Sequence, residues 1–464
     1  MKGALATLGI ASTAIVLVWS AIPSKFVSIP ASESTRLVDV QEYPSTVCEW
    51  DFEPAAGSSV GQIASLQPQT VFAALLAAPQ ETIDPYRRND PLNAVNAITR
   101  PPDSRTLGDT YPTYTSVAVN LQTDEVVLQD NNLWSTRVFN RLDNTPPGAA
   151  LTQPKRVIQG KNTLLEYNNG VYVDPNNGDI YSVESDTGDR MTVFSRDAQG
   201  NVAPKRELYV PHRAYSMTIN EDKQELYVAV EYPPEISVYR KEASKNDAPI
   251  RRLFGDHTGL ETPHGIAIDL KNHLLFVVNW GQYVSFDGSE KVRGCCRNLP
   301  REIGNPGTAQ FHLPSIAVYP LDADGDTRPL RVIQGDRTQL NWPGNMSVDP
   351  DTGDLYVAND VGQSVLVFTG MTFQRGNVPP ARVIKGAATG LRYPTGVFVD
   401  ARHQELWVSN LGNSSATVYS LKANGNVAPL RIIRSAPSTH ESMTFGRTAA
   451  VAYDPNRQEI LVPN

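Results

Sequence analysis

Residues 345–386 read NMSVDPDTGDLYVANDVGQSVLVFTGMTFQRGNVPPARVIKG, four short apolar runs separated by turn-forming residues. The first run, Asn345-Met-Ser-Val-Asp349, ends in an acid and meets the turn Pro350-Asp-Thr-Gly353. Pro, Asp and Gly reverse a chain there because each fits a turn conformation that other residues resist. A second run follows as Asp354-Leu-Tyr-Val-Ala-Asn359, a third around Val367-Phe368, and a fourth as Arg382-Val-Ile-Lys-Gly386. Their β-branched and aromatic residues suit strands, and no 3.6-residue period competes.

The same unit recurs along the chain. Its first strand returns as Ser116-Val-Ala-Val-Asn120, Gly170-Val-Tyr-Val-Asp174, Ser216-Met-Thr-Ile-Asn220 and Gly265-Ile-Ala-Ile-Asp269, then as Gly396-Val-Phe-Val-Asp400 and Ala450-Val-Ala-Tyr-Asp454. The closing residues are spaced by 54, 46, 49, 80, 51 and 54, so one unit of about fifty residues repeats and one copy carries an insertion of some thirty. A Gly-Asn-Val-Ala-Pro loop precedes the fourth strand at Gly200–Pro204 and Gly425–Pro429. Four antiparallel strands per repeat make a blade of a β-propeller. Seven units predict an all-β, seven-bladed ring, with six blades as the alternative. The last unit stops after its second strand, so Asn93-Ala-Val-Asn-Ala-Ile-Thr99 is expected to complete the seventh blade. The unit resembles the NHL repeat and the related YVTN-type repeat of the SMP-30-like superfamily, most closely in Leu355-Tyr-Val-Ala-Asn359. That resemblance implies a propeller over residues 93–464 and no single activity, because such rings serve many roles.

Composition narrows the function classes. The 464 residues carry 41 basic and 49 acidic side chains, a net charge of −8, which disfavours nucleic acid as a partner. Only 19% of residues are charged and 40% are hydrophobic, enough to bury a core, and 32 Gly with 35 Pro fit a turn-rich chain. Lys2 followed by the uncharged run from Ala4 to Ile22 reads as a signal peptide or membrane anchor over residues 1–23. The reading therefore places the protein outside the cytoplasm, periplasmic or extracellular, or held by residues 4–22 on the outer side of the inner membrane. Residues 24–92 form a Pro- and Ser-rich extension with one short helix expected over 70–78. Export permits Cys48 to pair with Cys295 or Cys296. Both of these lie in the insertion, residues 281–313, placed between the second and third strands of the fourth blade; it is a candidate partner-contact loop.

Aligning the units places Tyr114, Asn169, Tyr215, His264, Asn345, Thr395 and Arg447 just before the first strands, as a ring at one mouth of the channel. Pro263-His264-Gly265 and Phe445-Gly446-Arg447 resemble motifs of the peptidyl-amidoglycolate lyases, which implies zinc and a catalytic Arg. The lyase pattern needs three Pro-His motifs, whereas only one stands in register here. A resemblance to the calcium-dependent SMP-30 and paraoxonase lactonases implies oxygen ligands, which Asn169 and Asn345 could supply. The strand-end acids Asp174, Asp269, Asp349, Asp400 and Asp454 repeat in blade after blade, which reads as turn capping. No nucleophile elbow or phosphate-cradling loop is visible. The favoured expectation is an exported, non-catalytic propeller, without cofactor, that binds a protein or cell-envelope partner through the channel ring and the 281–313 loop. The alternative is a metal-dependent lactonase or lyase with one Ca or Zn ion in the channel.

Overall fold

The repeat unit folds in place: each unit's four strands pair with one another in chain order. The computed structural model describes residues 110–185, 188–283, 310–442, 452–454 and 459–461. Six four-stranded antiparallel sheets result. Their first strands are Tyr114–Asn120, Asn168–Val173, Ala214–Asn220, Pro263–Asp269, Pro343–Val348 and Pro394–Asp400, and these six surround one axis. The fourth strands, from Arg156–Gln159 in the first blade to Arg431–Arg434 in the sixth, form the outer rim.

Blades pack face to face, and six apolar clusters fill the six spaces between them. One of these joins Tyr114, Val117 and Phe139 of the first blade to Trp407, Ala416 and Ile433 of the sixth, so the ring closes. Closure leaves no gap between neighbouring first strands. A Cβ on Gly396 would lie 2.8 Å from Ser116 Cα, and one on Gly265 would collide with the carbonyl of Gly344. The count is therefore six, the alternative number, and not seven. The seventh unit is a hairpin, Ala452–Asp454 paired with Glu459–Leu461, that forms its own two-stranded sheet and adds no blade to the ring.

Two recurrent polar devices hold the blades, the first in all six and the second complete in the third, fifth and sixth. At the end of the first strand, a side-chain oxygen accepts backbone N–H groups of the following turn. Asp349 accepts from Asp351 at 2.9 Å, Asp174 from Asn176 at 2.8 Å and Asp400 from His403 at 2.9 Å. The strand-end acids are thus turn caps, as their repetition implies. The second device is a latch. The Arg opening the fourth strand reaches the acid opening the second and lies over the aromatic ring two residues further on. Arg251 pairs with Glu225 at 2.7 Å beside Tyr227, Arg382 with Asp354 at 3.1 Å beside Tyr356, and Arg431 with Glu405 at 2.7 Å beside Trp407. In the fourth blade Leu274 opens the second strand instead, and burial beside no carboxylate lowers the pKa of Arg331.

The outer edge of each blade is covered by its neighbour. Gly200, Gly325, Gly376 and Gly425 each bridge the fourth strand of the preceding blade, at Ile158, Leu253, Ile333 and Ile384. The next residue reinforces the bridge, as when Asn426 accepts the N–H of Ala388 at 2.8 Å. Between the sixth and first blades Thr145 takes this part, donating its N–H to Ile432 at 2.7 Å, and Arg141 reaches Glu405 at 3.0 Å. Covering edge strands in this way removes sites for unwanted pairing.

The insertion leaves the fourth blade between its second strand, Leu274–Asn279, and its third, Ser315–Pro320, through a short ladder of Gln282–Tyr283 on Gln310–Phe311. The expected signal or anchor at 1–23, the extension 24–92, the helix at 70–78, the closing strand at 93–99, and Cys48, Cys295 and Cys296 lie outside the described residues. Among the described residues, no helix is long and apolar enough to cross a membrane.

Glu405 serves both the sixth-blade latch and the closing seam, whereas Glu225 serves one latch. Glu405→Ala should cost about 3 kcal/mol or more, since it leaves the partly buried Arg431 without its carboxylate and Arg141 with Asp124 alone. Glu225→Ala should cost less, and urea unfolding of the two variants checks the order.

Candidate binding site at the upper mouth of the channel

Strand register fixes which loops share a face. Pro263 lies opposite Asn279, Asn279 opposite Ser315, and Ser315 opposite Gln334. The starts of the first and third strands therefore share one face, here called upper, with the ends of the second and fourth. The insertion leaves from this face too.

Every first strand begins with a β-bulge, in which one residue has no partner across the ladder. The register shifts put Thr115, Asn169, Tyr215, His264 and Thr395 in the bulge, and the same count gives Gly344 in the fifth blade. Four expected ring residues, Asn169, Tyr215, His264 and Thr395, thus stand at equivalent places. Tyr114 does not. It lies one residue earlier, fully buried between the first and sixth blades, with its hydroxyl 2.6 Å from Ser435 Oγ. Asn345 lies one residue later, where Gly170, Gly265 and Gly396 stand in other blades, and it lines the channel. Arg447 lies outside the described residues.

A second set of residues, which alignment of first strands does not find, completes the mouth. The residue after each second strand donates its N–H to the residue preceding the first strand: Glu231 to Arg213 at 2.9 Å, Trp280 to Thr262 at 3.2 Å, and Asp360 to Trp342 at 3.1 Å. The signal was present, since Glu231 and Asp360 directly follow the second-strand motifs ending at Val230 and Asn359. The accepting residues Arg213, Thr262, Trp342 and Tyr393 have φ of 63°, 55°, 50° and 47°. Large and β-branched side chains resist this left-handed region, and such strain gathers at functional sites.

Chemistry divides the ring in two. In the first, second and sixth blades the side chains satisfy one another. Thr115 donates to Asn168 O at 3.0 Å and Thr395 to Tyr114 O at 3.1 Å, while Asn169 bonds Ser185 Oγ and Tyr167 O. In the third to fifth blades they do not. His264 is sandwiched, its ring 3.2 Å from Tyr215 and 3.7 Å from Trp280 between centroids, and Trp280 lies 4.5 Å from Trp342. Trp280 is fixed by its indole N–H, which donates to Pro343 O at 2.8 Å. His264 Nε2 is 2.9 Å from Glu231 Oε1, while its Nδ1 is buried without a hydrogen-bond partner. Asn345 Oδ1 and Asp360 Oδ1 are buried and unpartnered too.

Burial dominates the electrostatics here. It pushes the Asp360 carboxyl up to about 7 and lowers the His264 imidazole below its usual range, against the pull of Glu231. Burial also raises the Tyr215 phenol, and the Glu231 and Asp360 carboxylates raise it further. At the foot of the insertion, His312 Nδ1 lies 2.8 Å from Glu261 Oε1, whose carboxyl is raised by burial. Below the mouth the channel opens into a cavity of about 580 Å³ whose lining includes Val117, Val171, Met217, Ile266, Met346 and Phe398. At its lower end Lys241 bridges Asp174 and Glu221, both at 2.7 Å.

A calcium or zinc ion in the channel would need converging donors. Among the described residues no three His, Cys, Asp or Glu side chains form such a group, and His264 is joined by Glu231 alone, so no chemical step is derived through a metal.

No protein-family model matches the chain, and no curated protein matches its sequence. Among solved structures, hydrazine synthase of Kuenenia stuttgartiensis is similar at 12% identity and a TM-score of 0.44, over 69% of this chain and 99% of that one. The class is given by the architecture: an all-β, six-bladed β-propeller.

The Asp360 carboxyl has a consequence for stability. Its folded pKa, about 7, lies above its ordinary 3.8, so the native state holds a proton that the unfolded chain has lost between these values. Stability falls as pH rises from about 4 to about 7 on this account. Asp360→Asn should therefore match the parent protein in thermal melts near pH 4 and melt several degrees higher at pH 8.5.

Proposed function

We propose that this chain is an exported, non-catalytic binding module that receives its partner on the upper face of the propeller. One observation carries the reading. At the mouth between the third and fifth blades, aromatic rings and hydrogen-bond acceptors are held in place without being used by the fold. Buried acceptors left without donors are costly, and folds retain them where something else is to be bound. The indole of Trp342 stands 51% exposed on a backbone conformation unfavourable to it, and half-buried aromatic rings are common anchors in binding surfaces. A rigid ring presents such groups with little loss of freedom on binding. The insertion leaves the fourth blade on the same face through the Gln282–Tyr283 ladder.

Export rests on the sequence of residues 1–23. Removing residues 2–22 should leave the protein in the cytoplasm of its native cell, as read by fractionation and by the mass of the product.

The binding reading is tested by crosslinked capture from native envelopes, using two altered proteins. Trp342→Asn keeps a residue tolerant of left-handed φ and removes the indole. Replacing residues 284–309 by Asn-Gly closes the Tyr283–Gln310 ladder with a two-residue turn. Both should melt within about 3 °C of the parent, since neither change touches the core between blades. Each should lose most of a specifically crosslinked partner. Undiminished capture by both would sink the assignment of this face.

A further inference from the structure

Among the described residues, the buried polar atoms without a hydrogen-bond partner at the mouth between the third and fifth blades include the ring nitrogens of His264 and the side-chain oxygens of Asn345 and Asp360. Asn345 Oδ1 is buried and lacks a donor, and Asn345 is 8% exposed. Asp360 Oδ1 lacks a donor as well. Glu231 turns one oxygen toward His264, whose imidazole is held neutral by its burial, and the other toward Arg213 Nη1 at 3.9 Å. That guanidinium is half exposed at the rim, so it balances Glu231 weakly, and among the described residues no cation pairs with Asp360. Beside these oxygens stand the faces of Trp342 and Trp280, which attract positive charge through their electron-rich π systems. The fold thus assembles acceptors and aromatic faces with the Glu231 carboxylate and, above about pH 7, that of Asp360, and among the described residues it supplies no buried cation to complement them. An anion is disfavoured by the carboxylates. A neutral apolar ligand would leave the acceptors dry and unpaired. A quaternary ammonium would suit the rings but bring no N–H groups. A primary ammonium on an alkyl stem supplies three N–H donors, a charge and apolar methylenes.

We infer that the upper mouth between the third and fifth blades binds a primary alkylammonium group, its stem against Trp342 and Trp280 and its N–H groups on the oxygens of Asn345 and Asp360. This rests on the reading of the upper face as the binding face, and it names the chemistry which that face selects. The group can come from a free amine or from a lysine side chain of a protein partner.

The probe is n-butylammonium, titrated into the full chain while tryptophan fluorescence and heat are followed. Butanol and tetramethylammonium serve as comparisons of the same apolar size or the same charge. Saturable binding of butylammonium is expected in the millimolar range, with tetramethylammonium at least about tenfold weaker and butanol without saturation. Asp360→Asn and Trp342→Asn should each weaken butylammonium by about tenfold, with melting curves confirming that both remain folded. Binding of a lysine-containing tripeptide about tenfold tighter than butylammonium assigns the site to a protein lysine, and equal affinity assigns it to a free amine. Butanol binding as well as butylammonium, or no saturation by butylammonium in the parent protein, would overturn the inference. If that happens while Trp342→Asn still abolishes partner capture, the ligand chemistry is wrong and the face stands. If capture is also unchanged, the face falls with it.

Discussion

The six innermost strands approach one another so closely round the channel that there is no room for a methyl group at Gly265 or Gly396. Much else follows from this crowding. The larger aromatic and branched residues pack in the spaces between blades, where they form six cores and not one. The same convergence sets the width of the channel, and with it a cavity suited to small groups. It also explains the bulges. A strand that begins at a crowded mouth must turn one residue aside, and in each blade this residue becomes part of the ring.

Within a blade, the outer half is organised by charge. The recurrent Arg of the fourth strand, the acid of the second and the aromatic ring beside it form a small partly buried network, in which each member satisfies another. Buried pairs of this kind add little net stability over apolar replacements, but they penalise register errors, because a strand slipped by one residue would leave a charge buried alone. The fourth blade, with Leu274 in the acid's place, shows that the sheet can form without the latch. That blade also carries the insertion.

Much of this was legible before any coordinates. Residues that repeat for local reasons spoke clearly: strand-end acids cap turns, and Gly-Val-x-Val-Asp marks an inner strand. The closing number was not legible, because two strands of a seventh unit look like any other half-blade, and only the meeting of Gly396 with Ser116 shows that the ring is already full. The candidate site was half legible. Asn169, Tyr215, His264 and Thr395 aligned by pattern, whereas Tyr114 and Asn345 missed by one residue. In the first blade the residue directly before the strand motif is Thr115 and not Tyr114, and the fifth has its Gly one place early, at Gly344. Glu231, Trp280 and Asp360 directly follow their second strands, a spacing that could have placed them at the mouth, but their contacts with the ring are tertiary. Their separation in sequence from His264 hides a contact of 2.9 Å or a stacked ring.

Each blade of this ring is drawn from a single run of chain, and among the described residues no strand crosses from the last blade to the first. Such a ring resembles a split washer more than a welded hoop. Five joints are backed by a continuous backbone passing from blade to blade, and the sixth relies on Arg141, Thr145, Ser435 and an apolar seam. A split washer springs at its cut, and this one is cut beside Trp407 and Tyr114, away from the aromatic mouth on the fourth and fifth blades.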